Sequence, residues 1–182
     1  SYMKPDFILL NQRQLLKPFA KYVGTILVEA SCWKLFCNAD PDDECDCNLD
    51  LRFQDGSVLS FSIKEDGQSI VANPTSFDKP LWAVSDDTYQ YEWQRLVLTK
   101  EGQWKSLVGQ KLTQLESIIL LWTENRQGQE IKHEALAGCR CVFEKGDYLI
   151  FTNGGDQAQW FLNQMPYHSE LESGEMCLVP IC

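Results

Sequence analysis

An internal repetition constrains this chain more than any other feature. Residues Leu51 to Phe61 are matched by Cys141 to Phe151 at a constant offset of 90. Phe53 falls on Phe143, Gly56 on Gly146, Leu59 on Leu149 and Phe61 on Phe151. Beyond this block Asp66 falls on Asp156 and Asn73 on Asn163. An upstream block repeats at an offset of 85, setting Phe19, Tyr22, Val23, Gly24 and Leu27 on Trp104, Leu107, Val108, Gly109 and Leu112. The change of offset places five extra residues in the second copy. Leu96-Val97 and Leu178-Val179 stand near the end of each copy. Two blocks repeating in the same order point to one supersecondary unit used twice. The 182 residues divide into 1–99 and 100–182. Halves of that size bury proportionally less surface alone than together, so one compact pseudo-two-fold body is expected.

The patterning inside each copy is that of strands. Leu49, Leu51 and Phe53 alternate with Asn48, Asp50 and Arg52, which puts an apolar and a polar row on opposite faces. Gln54 to Ser57 and Glu144 to Asp147 read as hairpin turns with glycine at the position needing positive φ. Leu9 to Tyr22 is the best helix candidate, shortened or kinked by Pro18. Residues 72–95, with Pro74, Pro80, Asp86 and Asp87, read as a loop-rich stretch. The expected class is therefore α+β, β-rich.

Charge narrows the partners. Sixteen Lys and Arg against 26 Asp and Glu leave a net charge of −10. Phosphate binding depends on cationic side chains, so nucleic acid and anionic membrane surfaces are excluded as expected partners. A basic protein partner suits this balance. The longest apolar runs, such as Ile118 to Trp122, fall well short of a membrane span. Ser1 to Asp6 lacks the apolar core of a signal peptide. The eight cysteines read as free thiols in a reducing cytoplasm, because the chain has enough apolar residues to fold without disulfides.

No motif announces chemistry. Cys32/Cys37, Cys45/Cys47 and Cys139/Cys141 resemble fragments of a zinc site, but Cys-x-Cys is not the usual knuckle spacing. At the offset of 90, Cys139 and Cys141 fall on Leu49 and Leu51, so small buried apolar residues are expected there. Neither metal nor cofactor is expected. The run Asp40 to Asp46 puts Cys45 and Leu51 where a calcium loop needs Gly and Glu, so it reads as a solvated acidic loop. His133 lies in the insertion of the second copy, without a visible catalytic partner. No Gly-x-Ser-x-Gly elbow, P-loop or dinucleotide fingerprint occurs. Asp66 and Asp156, the one matched acid pair considered for catalysis, stand beside Gly67 and Gly155, where turn formation is the expected role. No enzymatic activity is expected.

Two segments, Trp104 to Leu112 and Phe143 to Asp156, carry a Val-Gly-x-x-Leu strand start and a Phe-x-x-Gly hairpin. They resemble segments of uncharacterised bacterial domains and of immunity proteins from polymorphic toxin systems. That resemblance implies a cytoplasmic, non-enzymatic protein that binds a toxin, and it carries over no functional residue. The residues themselves nominate Asp40, Asp42, Asp43, Glu44 and Asp46, then Trp82, Asp86, Asp87 and Tyr89, as the partner-binding set. Acids interleaved with aromatic rings have the composition of an interface hot spot. The alternative is a small-molecule-binding domain with its ligand in the cleft between the repeats.

Overall fold

The computed structural model describes residues 12, 14–43, 47–166 and 174–181. Two antiparallel sheets make up most of it. The first contains β1 (Leu27–Cys37), β2 (Asp40–Pro41), β3 (Asn48–Phe53), β4 (Val58–Ile63), β5 (Ile70–Asn73) and β6 (Tyr91–Val97). Its order is β6-β1-β3-β4-β5, with β2 on the same edge of β1 as β3. The second contains β7 (Leu112–Arg126), β8 (Gln129–Phe143), β9 (Tyr148–Asn153), β10 (Ala158–Leu162) and β11 (Glu175–Pro180), in the order β11-β7-β8-β9-β10. In both sheets a meander of four strands is closed by a last strand that returns beside the first.

Helical structure is short. A 310 helix spans Lys17–Tyr22 and an α-helix, α1, spans Trp104–Leu107. Part of the helix expected over Leu9 to Tyr22 lies outside the described residues. In the described part Gln12 and Gln14 are α-helical, and after a turn at 15–16 a 310 helix follows with Pro18 in its first positions, where the missing N–H costs nothing. The loop-rich stretch expected over 72–95 is narrower, since β6 already begins at Tyr91.

Matching residues make matching bonds. The Phe53 N–H donates to the Ser57 carbonyl at 2.9 Å, and the Phe143 N–H to Asp147 at 2.8 Å. Gly56 and Gly146 turn these hairpins at φ +86° and +89°, where a side chain would be strained. Between the sheets the bonds are reciprocal. The Gly24 N–H donates to the Leu112 carbonyl at 2.7 Å, and the Gly109 N–H to Leu27 at 2.8 Å. The Leu27 N–H donates to Gln110, the Leu112 N–H to Thr25, and an antiparallel bridge joins Ile26 to Lys111.

One apolar core lies between the sheets. Leu49, Leu51, Phe53, Leu59 and Phe61 meet Leu115, Ile119, Phe143, Leu149 and Phe151 there. Phe61 and Phe151 stack with centroids 5.3 Å apart. Cys139 and Cys141 are each 1% exposed in this core, as their match to leucines suggested. Its hydrogen bond to Cys141, followed by burial, pushes the Cys139 thiol well above its ordinary range.

The outer faces differ. On the second sheet Ile118, Leu120, Ile150 and Met176 form a further buried apolar cluster. The Arg140 guanidinium pairs with Glu116 at 2.7 Å and lies over the Tyr148 ring. On the first sheet the corresponding face is polar, with Ser31, Asn48 and Ser60 buried beside Asp50. The stretch from Leu112 to Phe143 is five residues longer than that from Leu27 to Phe53, and it forms the β7–β8 hairpin. It runs on to Arg126 and Gln129, past the last pairs made by β11 at Leu121 and β9 at Gly138. His133 lies on this ribbon, stacked on Trp122 and 2.8 Å from Glu124.

Candidate functional site

The polar face of the first sheet holds the segment between β5 and β6. Alternation along β3 turns Leu49 and Leu51 inward and leaves Asp50 outward. The Ser60 hydroxyl donates to Asp50 Oδ1 at 2.7 Å, and Asn48 Nδ2 lies 3.3 Å from the same oxygen. The backbone N–H of Phe77 reaches both carboxylate oxygens, at 3.3 and 3.2 Å. The Trp33 indole N–H donates to the Phe77 carbonyl at 3.0 Å. One residue, Phe77, is thus gripped through its N–H by a carboxylate and through its carbonyl by an indole.

A second anchor follows five residues later. The Trp93 indole N–H donates to the Trp82 carbonyl at 3.1 Å. The two indole rings meet edge to face at 4.9 Å, an arrangement favoured by the aromatic quadrupole. A third anchor is the turn at 85–91. Asp86 Oδ1 accepts the N–H groups of Thr88 and Tyr89 at 2.8 and 2.7 Å. These two donors, Tyr89 foremost, hold the Asp86 carboxyl below the usual carboxylate range.

The same turn is stitched to the β1–β2 hairpin. The Asn38 N–H donates to the Gln90 carbonyl at 2.8 Å, and the Gln90 N–H to Asn38 Oδ1 at 2.9 Å. Asn38 Nδ2 donates to the Thr88 carbonyl. Asn38 and Ala39 form the two-residue turn, at φ +51° and +68°, the geometry that matches strand twist in a tight hairpin. Asp40 follows immediately, exposed. Residues about fifty apart in sequence are therefore side by side at one end of the first sheet.

The nominated residues divide. Asp40, Asp86, Asp87, Trp82 and Tyr89 are all exposed at this end. Asp42 is half-buried, and its N–H bonds to the Leu35 carbonyl. Asp43 is engaged elsewhere: it pairs with Lys34 at 3.3 Å, and its carbonyl accepts Gln157 of the β9–β10 turn at 2.7 Å. Glu44 and Asp46 lie outside the described residues. The aromatics divide as well, with Trp93 buried and Trp82 and Tyr89 about half exposed. Asp66 caps its own turn through Gln68 and Ser69.

Two residues were not nominated from the sequence. Leu81 is 93% exposed and Val84 85%. Their signal was two bulky apolar side chains in a proline-flanked stretch without strand or helix period. Phe77 and Asp50 were missed because a tether across the sheet has no sequence pattern. Among the described residues no group of three or more His, Cys, Asp or Glu converges as a metal site, and no helix is long and apolar enough to cross a membrane. Comparison with known protein families, characterised proteins and solved structures gave no significant match.

Proposed function

We propose that this chain is a non-enzymatic protein-binding module made of two related halves, and that it docks a basic partner at the end of its first sheet. The observation that carries this reading is the stitching of Asn38 to Thr88 and Gln90. It sets the turn that carries Asp86 and Asp87 against the hairpin that leads into Asp40, which supports an acidic edge beside Trp82 and Tyr89. Clustered carboxylates steer a cationic partner and fix its register, while aromatic surface supplies the desolvated contact. The relation between the halves is supported by their repeated hairpin bonds and common strand order. The concrete form we favour is an immunity-type protein that occludes a basic toxin in the cytoplasm, the role implied by the resemblance of its strand-start and hairpin segments.

The test compares the wild type with an Asp40→Lys/Asp87→Lys variant, each immobilised in lysate of the source organism at low and moderate salt. A single basic protein retained in stoichiometric amount, weakened by salt and by the charge reversal, is the expected result. Retention indifferent to both would overturn the acidic-edge reading.

A further inference from the structure

The segment 78–90 joins three properties. Leu81 and Val84 stand almost wholly in solvent, whereas a large apolar side chain at the surface usually keeps part of its area covered. Their backbone is nevertheless fixed on both sides, by Trp93 on Trp82 and by the Asp86 turn. Between them Ala83 sits at φ +73°. That conformation is unfavourable for a residue with a side chain and persists only where the surroundings impose it. Asn38 and Ala39, in the adjoining hairpin, are also left-handed. Between residues 78 and 92 four acids, Asp78, Asp86, Asp87 and Glu92, stand against one cation, Lys79.

We propose that Leu81 and Val84 are preformed anchors for an apolar pocket bordered by lysine and arginine on a protein partner. This rests on the docking reading above and names its energetic centre. Charge selects the occupant. A second copy of the chain would bring the same four carboxylates against themselves, and an anionic membrane would repel them as well. A cationic rim pairs with them. The fixed backbone lowers the ordering cost of binding, so two truncated side chains should count heavily.

The test uses the full chain in three forms: wild type, Leu81→Ser/Val84→Ser, and Asp40→Lys/Asp87→Lys. The protein retained from lysate is purified, and its association and dissociation rates are measured against each form. The serine variant is expected to bind about a hundredfold more weakly, through faster dissociation, with the salt dependence kept. The lysine variant is expected to associate more slowly, with a flatter salt dependence. Because Leu81 and Val84 are exposed, the unfolding midpoint should not move, which separates loss of binding from loss of fold. If charge reversal weakens binding and the serine variant binds like wild type, docking at the acidic edge stands and the anchors are refuted. If both bind like wild type, or nothing is retained, both readings fall. If the wild type sediments as a dimer that Leu81→Ser/Val84→Ser disperses, the occupant is a second copy and the proposal is overturned.

Discussion

Replacing Asp50 with alanine should unfasten the segment between β5 and β6 while leaving both sheets folded. The carboxylate takes the Phe77 N–H at 3.2 Å and the buried Ser60 hydroxyl at 2.7 Å. A hydrogen bond to an ionised group is worth about 1.5–3 kcal/mol net. Asp50 is only half-buried, so water competes and the lower figure applies. Loss of about 1.5 kcal/mol at Phe77 corresponds to roughly tenfold faster exchange of its amide. The Ser60 hydroxyl, 1% exposed, is left short of an acceptor, which costs about 1–3 kcal/mol more in global stability. Hydrogen exchange would read the first effect and urea unfolding the second. Limited proteolysis should show new cuts between residues 78 and 90 before any in the strands. The tether is refuted if Phe77 exchanges at the wild-type rate and the cleavage pattern is unchanged. A global loss without faster local opening at Phe77 would also refute it, because Asp50 would then act only through Ser60.

Two further outcomes follow from particular geometry. A Cβ on Gly138 would lie 2.6 Å from the Phe151 carbonyl oxygen and 2.9 Å from Thr152 Cγ2. Gly138→Ala should therefore lower stability by about 1–3 kcal/mol as the β8–β9 pairing shifts, and a urea midpoint equal to wild type would contradict that. On the projecting ribbon, the hydrogen bond to His133, then that to Arg126, holds the Glu124 carboxyl below its ordinary 4.5. A depressed carboxylate contributes stability above that ordinary value and loses it as pH falls through the folded one. His133→Ala should move the Glu124 titration, followed by NMR, back up towards 4.5, and an unmoved titration would show that the pair is not formed in solution.

The chain shows how far local pattern reaches. Alternation in Leu49 to Phe53 and the glycines at 56 and 146 were enough to place the hairpins, because side-chain period and turn conformation are set within a few residues. The repeat placed Cys139 and Cys141 in the core by analogy with Leu49 and Leu51, and burial at 1% agrees. The acidic run and the aromatic stretch were legible as unusual composition, and the polar row of Asn48, Asp50 and Arg52 as an outward face.

What that face does was decided in three dimensions. Asp50 acquires its role only when β4 brings Ser60 beside it and the chain crosses back with Phe77. Asn38, two residues before Asp40, meets Thr88 and Gln90 only because β6 returns to the edge of β1 opposite β2, setting the 85–91 turn against the hairpin. Asp43, two residues beyond β2, is drawn instead to Lys34 and Gln157. Neighbouring residues on a loop can thus serve different surfaces. Composition and period are local quantities and were readable at once. Which polar groups meet depends on strand order and on a long connection whose ends are tied by hydrogen bonds. The sequence by itself therefore determined the hairpins around 49–61 and 141–151, their turns and their apolar face, and only the tertiary structure decided the remaining strands and which side chains stand together in water.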